Sequence, residues 1–323
     1  MMSDWKRQRE RSNRFWIAVL VWIARALGRG PVRLLLYPIT LYFYLTGTEA
    51  RSASRHSLRR VFEREPSRRE VFRHLYTFSR VTSDRLFLLT EAGRYQIDAE
   101  GDAAFMAAMS GGRGCLLMVS HLGCFDALRV MGVRGRDLPL RIVFDRRQTP
   151  MVGDVLDQLD PQLAAGVIPA DCSGPELVLA IEKSLARGEL VGLMADRAGP
   201  RERVLHADLL GDDAPLPLGP WQLALVLKVP VILCFGIYLG GNRYRMCFEV
   251  MSEGLSAQRS QRDQELSRCV AHYAERLQHY ARLAPYNWFN FYDFWGDERA
   301  AGDAGVTAEI DPGDPASGGG SLG

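Results

Sequence analysis

Lysine is nearly absent from this chain: Lys6, Lys183 and Lys228 are the only three, and arginine supplies the rest of the 40 basic residues. No function follows from that choice, for which a coding bias is explanation enough. The six cysteines include no C-x-x-C pair and mostly fall inside apolar runs. That excludes a zinc ribbon and a disulfide framework, and it points to buried free thiols in a reducing compartment. Cys124 reads as a packing residue rather than a nucleophile. G-x-S-x-G does not occur within residues 1–296, and its one match, Gly319–Gly323, lies in the glycine-rich tail and not between a strand and a helix, which argues against a serine hydrolase of the nucleophile-elbow type. The glycine-rich Gly111-Gly112-Arg113-Gly114 precedes its strand, whereas a phosphate-cradling loop must follow one. His272 and His279 are seven residues apart on one helical pattern, and no group has zinc spacing, so no metal is expected. Apolar runs are also too short to span a bilayer: residues 15–24 end at Arg25 and residues 34–45 stop well below the ~20 that a spanning helix needs.

What the chain does have is an uneven charge. Residues 1–94 carry a net +11 and the remainder a net −9, although the total is only +2. A basic amino-terminal third points to an anionic neighbour, lipid headgroups or nucleic acid. Its arginines alternate with long apolar runs rather than forming a solvated groove, which argues against nucleic acid. The two runs carry Trp16, Trp22, Tyr37, Tyr42 and Tyr44 and are flanked by arginines. Such helices suit the plane of a membrane surface, where aromatic rings sit at headgroup depth and arginines reach phosphates. No small-residue cleavage site precedes a polar mature start, so removal as a signal peptide is not expected.

The chain divides into residues 1–48, a membrane-associating helical region, residues 49–296, an α/β domain, and residues 297–323, a disordered tail poor in large apolar side chains. Apolar stripes through Leu58, Val61 and Phe62, then Val71, Phe72, Leu75, Phe78 and Val81, predict helices between residues 50 and 92, with Ser67 as a cap. Short β-type runs at 115–119, 140–144, 190–195, 231–238 and 243–250 alternate with helical patterns near 123–132, 151–160, 174–187 and 218–228. Alternation of that kind predicts an α/β fold, a central sheet layered by helices. Gly240-Gly241-Asn242 predicts a hairpin between the last two strands, which makes the sheet mixed. A long helix over 257–283 follows, then the aromatic-rich APYNWFNFYDFW of residues 284–295, expected to pack across the sheet or to wall a binding site.

The richest stretch is CLLMVSHLGCFDALRV, residues 115–130. A buried strand ends at Ser120-His121, and Asp126 follows the histidine by five positions. Within one helix such a pair lies on different faces, so the two meet only if His121 bends back over the first turn, a close approach Gly123 permits. An imidazole oriented by a carboxylate is the arrangement of a general base acting on a hydroxyl. The plainer alternative is a capping histidine beside a solvated aspartate.

The order of motifs decides between them. His121-x4-Asp126 after a strand, Phe144-x-x-Arg147 in LRIVFDRRQ, Asp196 at the strand end in LVGLMADRAGP, and Val229-Pro230-Val231 opening a late strand occur in sequence. Over roughly residues 15–295 the chain resembles the lysophospholipid acyltransferase superfamily, and within it the bacterial lipid A late-acyltransferase branch. It departs from the pattern at Arg141, where many members have a small residue, and at Asp196, where the glycerol-phosphate enzymes have E-G-T-R. The resemblance implies acyl transfer from a thioester, on acyl carrier protein or coenzyme A, to a hydroxyl of a lipid-like acceptor. His121 would be the base and Asp126 its orienting carboxylate. Arg147, or its neighbour Arg146, would stabilise the oxyanion or bind a headgroup. Asp196 would orient Arg147 or the acceptor, with Arg197, Arg201 and Arg203 meeting phosphate. No cofactor is implied; acyl carrier protein, a lipid acceptor and the cytoplasmic face of a bacterial inner membrane are the expected partners and place. A thioesterase using the same dyad, and a non-catalytic membrane scaffold, are the competing functions. Convergence of His121, Asp126, Arg147 and Asp196 on one cleft is what separates an enzyme from a scaffold.

Overall fold

A computed structural model describes residues 29–133, 139–144, 166–199 and 202–296. Among these, a seven-stranded mixed sheet runs in the order β1-β9-β8-β2-β5-β3-β4. The strands are β1 (Gln96–Glu100), β2 (Leu116–Gly123), β3 (Leu140–Phe144), β4 (Val167–Pro169), β5 (Leu190–Met194), β8 (Val231–Gly240) and β9 (Arg243–Ser252). All neighbours pair in parallel except β8 and β9, the expected hairpin. Its turn needs positive φ at Gly240 and Gly241, 94° and 61°, where a side chain would be strained. β6 (Val204–Leu209) and β7 (Asp212–Pro217) form a separate antiparallel hairpin.

Helices cover both faces of the sheet. They are α1 (Arg29–Thr46), α2 (Thr48–Phe62), α3 (Arg68–Thr90), α4 (Asp102–Met109), α5 (Ala127–Val133), α6 (Gly174–Ala186), α7 (Gly219–Leu227) and α8 (Arg262–Leu283). Central β2 is buried on both faces, as parallel strands under helical layers are. Leu116 and Met118 face a core built with Ile181 of α6, Trp221 of α7 and Tyr273 of α8. Leu117 and Val119 face the opposite core, with Val81 and Phe87 of α3, Phe105 of α4 and Leu128 of α5. Ser67 caps α3 in a reciprocal box with Glu70, as its spacing predicts.

Three expectations change. The edge strand β1 has only Ile97 and Ala99 as apolar positions and the β6–β7 hairpin is broken by Asp212, Asp213, Pro215 and Pro217, so neither shows as an apolar run; the hairpin turns at Leu210 and Gly211, with φ of 59° and 87°. The predicted helix over 257–283 begins at 262, after a short turn over Arg259–Gln261. Five cysteines are buried free thiols as expected, but Cys172 is exposed. The expected helix near 151–160, the first apolar run at 15–24 and the tail from 297 lie outside the described residues.

α1 packs on α3. Tyr37 stacks on Tyr76 with ring centroids 4.3 Å apart, and Thr40 donates to Ser79 at 3.1 Å. Arg33 reaches the β8–β9 turn, donating to the Gly241 carbonyl at 2.6 Å and the Asn242 side chain at 2.8 Å. The opposite face of α1 leaves Leu34, Tyr42 and Leu45 73%, 62% and 64% exposed. No helix among the described residues is long and apolar enough to cross a membrane.

A buried histidine ties the helical layer to the carboxyl-terminal segment. His74 of α3 donates from Nε2 to the Trp288 carbonyl at 2.8 Å, so its Nδ1 accepts the Ser54 hydroxyl at 2.9 Å. Burial, against the opposing effect of the Trp288 bond, pushes its pKa down from 6.5 to about 4. Between those values the unfolded chain holds a proton that the folded chain refuses. Stability therefore falls as pH drops through that window, by up to about 3 kcal/mol. His74→Phe is expected to remove this acid-dependent loss while costing about 2–4 kcal/mol at pH 8, because Ser54 and the Trp288 carbonyl lose their partner. Urea unfolding between pH 4 and 8 measures both, and an unchanged acid slope would contradict the assignment.

Candidate active site

β2 and β5 are parallel neighbours with Val119 opposite Met194. Two residues further along each strand, that register sets His121 against Asp196, at the carboxyl ends where open α/β sheets hold ligands. The Asp196 carboxylate, fully buried, takes three donors there. His121 gives Nδ1–H to Oδ1 at 2.9 Å and its backbone N–H to Oδ2 at 2.9 Å, and the Trp288 indole gives a third to Oδ2 at 3.2 Å. Burial alone would raise this carboxyl. The interaction with His121, its hydrogen bonds and the charge of Arg197 outweigh it and hold the group at about 2. An ionised carboxylate only accepts, so Nδ1 carries the proton and Nε2 of His121 is left as a base. The imidazole side chain is 32% exposed.

This corrects the expected pairing. No hydrogen bond or ion pair joins His121 to Asp126. His121 lies inside β2, before the turn at Gly123, and its ring is already engaged by the neighbouring strand. Asp126 lies beyond that turn, and its Oδ2 sits 3.1 Å from Nε of Arg85 on α3. Asp196, expected to orient Arg147 or the acceptor, orients the imidazole instead. Its signal was available in the sequence, as an acid ending a strand. What was missing was the strand order that makes β5 the neighbour of β2.

Gly123 makes the turn possible. Its φ is +66°, and a Cβ there would run into the Gly236 carbonyl oxygen of β8. The Gly123 and Cys124 backbone N–H groups donate to Asn287 O at 2.8 Å and Gly236 O at 2.7 Å. The segment after α8 lies alongside: Phe289 N–H donates to the His121 carbonyl at 3.0 Å, and Leu122 bridges to Trp288. The aromatic-rich segment thus does both things expected of it. Trp288 packs into the core, while Phe289, Phe291 and Tyr292 line a cleft.

That cleft, about 210 Å³, is also lined by Phe78, Val81, Thr82 and Arg85 of α3, by His121 and Gly123, and by Arg197. Arg197 donates to the Phe289 carbonyl and lies over the Tyr292 ring, 5.2 Å from its centroid. Arg146, Arg147 and Arg201 lie outside the described residues, whereas Phe144 ends β3. Arg203 is exposed ahead of β6. Arg141 of the second block is engaged by Glu189 at 3.1 Å. Burial and the neighbouring Asp126 push the Cys124 thiol up to about 12, so it is no nucleophile. No group of three or more potential metal ligands occurs among the described residues.

The arrangement offers a held imidazole, two guanidinium groups and an aromatic wall. A family model described as bacterial lipid A biosynthesis acyltransferase matches residues 3–295. No curated protein matches the chain.

Gly123→Ala is expected to destabilise the fold by more than about 3 kcal/mol, since strain at positive φ adds to a backbone clash. Thermal or urea unfolding checks this; a loss below about 1 kcal/mol would mean that β2 and β8 can separate locally without cost.

Proposed function

The chain belongs to the bacterial lipid A biosynthesis acyltransferase family, and from that premise we propose that it transfers a fatty acyl chain from a thioester to a hydroxyl of a lipid-like acceptor, with His121 as base and Asp196 as the carboxylate that orients it. One observation carries this reading: an imidazole lining the cleft, its Nδ1 bound to a buried ionised carboxylate. A non-catalytic scaffold would have no use for a partly exposed imidazole held in that way at a cleft.

In the proposed reaction the acceptor hydroxyl approaches Nε2 of His121. As its oxygen bonds to the thioester carbonyl carbon, the hydroxyl proton passes to Nε2, and the imidazolium is stabilised by Asp196. The tetrahedral intermediate then collapses, the carbon–sulfur bond breaks, and the imidazolium protonates the departing thiolate. The acceptor oxygen attacks directly, so no protein nucleophile is required. A preorganised donor to the oxyanion contributes about 3–4 kcal/mol; Arg197 in the cleft, or Arg147 or Arg146 of the F-x-x-R block, fits that role. The aromatic wall of Phe78, Phe289, Phe291 and Tyr292 suits an acyl chain. Acyl carrier protein is the proposed donor carrier.

The family is one of bacterial membrane-associated enzymes. The exposed face of α1 supports a helix lying on the bilayer, which we assign to the cytoplasmic side of the inner membrane. At its carboxyl end Tyr44, Arg51, Arg55 and Arg68 line a pocket of about 300 Å³, so guanidinium groups adjoin the apolar face as headgroup contact requires.

His121→Ala is expected to abolish transfer, and Asp196→Asn to lower turnover about 10³- to 10⁴-fold by supporting the wrong tautomer. Labelled acyl carrier protein incubated with a crude lipid extract, followed by mass analysis of the product, measures both. Retention of more than about a tenth of turnover by His121→Ala would sink the assignment, and label appearing only as free fatty acid would favour hydrolysis. Tyr42→Asp with Leu45→Asp is expected to move the protein from the membrane pellet toward the supernatant, since each charge removes apolar contact and adds a desolvation cost.

A further inference from the structure

Arg85 has no assigned role, yet it stands in the cleft with the base. It projects from α3, its side chain 39% exposed, with Nε 3.1 Å from Asp126 Oδ2 and the guanidinium carbon 5.6 Å from the Phe125 ring centroid. The ion pair is not aligned as a hydrogen bond, the buried Nε has no hydrogen-bond partner, and the guanidinium also lies beside the Cys124 thiol. A guanidinium carries five N–H donors, more than these neighbours can take. The cleft is lined by two guanidinium groups, Arg85 and Arg197, and by the His121 imidazole; neither aspartate lines it. Asp196 is buried behind the imidazole, and the Asp126 side chain is 18% exposed beside Arg85. Next to the two guanidinium groups stand four aromatic rings. A cleft cationic on one side and apolar on the other matches an amphiphile with an anionic group.

We propose that Arg85 receives a phosphate group of a substrate beside His121, and that Asp126 acts through Arg85, as a positioning residue for the guanidinium rather than for the imidazole. A guanidinium offers phosphate two parallel hydrogen bonds, and Asp126 holds the fork at the cleft without occupying it. The proposal rests on the acyl-transfer reading for its place in the reaction, but binding alone can test it. Both substrates of such a reaction can carry phosphate: a phosphorylated glycolipid acceptor, or the phosphopantetheine arm of the donor.

The test uses the full chain with Arg85→Gln, Arg85→Lys, Asp126→Asn and His121→Ala. Pyrophosphate binding, followed by ³¹P NMR titration, needs no turnover. Arg85→Gln is expected to weaken it about tenfold or more, because a charge-assisted pair is lost. Arg85→Lys should restore part of the affinity, Asp126→Asn should give an intermediate loss, and His121→Ala should leave it intact. In turnover, Arg85→Gln and Asp126→Asn should raise KM with little change in kcat and leave the pH profile in place. If the KM effect disappears with acyl-pantetheine in place of acyl-phosphopantetheine, the phosphate is the donor's; if it persists equally with both, it is the acceptor's. Unchanged pyrophosphate binding in Arg85→Gln would overturn the proposal. So would Asp126→Asn losing kcat and shifting the low-pH limb of the profile while Arg85→Gln is silent, since Asp126 would then serve the base. Should the protein transfer no acyl group at all, the pyrophosphate titration still decides the site, and the failure belongs to the functional reading alone.

Discussion

One buried carboxylate holds the site together. Asp196 takes three hydrogen bonds from two segments distant in sequence, the end of β2 and the strand-like run after α8. A charge removed from water is tolerable only with its hydrogen-bonding capacity met, and those donors meet it. The same bonds fix the imidazole's tautomer and pin Trp288 across the strand ends. Trp288 in turn gives its carbonyl to His74, so the helical layer is tied to the position of this one acid. Fold and site share the interaction, which is why both depend on the parallel register of β2 and β5.

Around that centre, charge is divided between two aspartates with separate tasks. Asp196 faces the imidazole and is shielded from solvent; Asp126 faces a guanidinium. The turn at Gly123 separates them, carrying the chain away from β2 after the histidine and before the aspartate. An aspartate five residues after a histidine can thus serve a different cation, and spacing along the chain does not decide which.

Much of the architecture was legible. Buried runs such as Leu116–Val119 and Val231–Tyr238, the Gly240-Gly241 hairpin and the Ser67 cap each have a local cause, and local causes can be read from a sequence. β1 and the β6–β7 hairpin were not legible, because β1 offers only Ile97 and Ala99 as apolar positions and Asp212 and Pro215 interrupt β7. Of the candidate site, His121, Asp196 and Arg197 were singled out in the sequence, but the hydrogen-bond partner of His121 was not. Strand neighbours are set by the whole sheet, and β2 and β5 are separated by more than sixty residues of chain. Arg85 and Trp288 gave no local signal: one is an arginine among many on a basic helix, the other a tryptophan in an aromatic cluster. Only the packing of α3 and the closing segment against the strand ends sets them apart.

α3 joins two surfaces that would otherwise be independent. Tyr76 and Ser79 meet α1, while Phe78, Val81, Thr82 and Arg85, within the next turns, line the cleft. A helix is stiff over that distance, and α1 is also fastened to the β8–β9 turn through Arg33. The greasy flank of α1 and the opening beside the imidazole are therefore kept at a constant offset, as two marks on one ruler. A lipid entering sideways from the bilayer would meet the arginine, the aromatic rings and the base at heights set by the scaffold, with no hinge needed to bring them level.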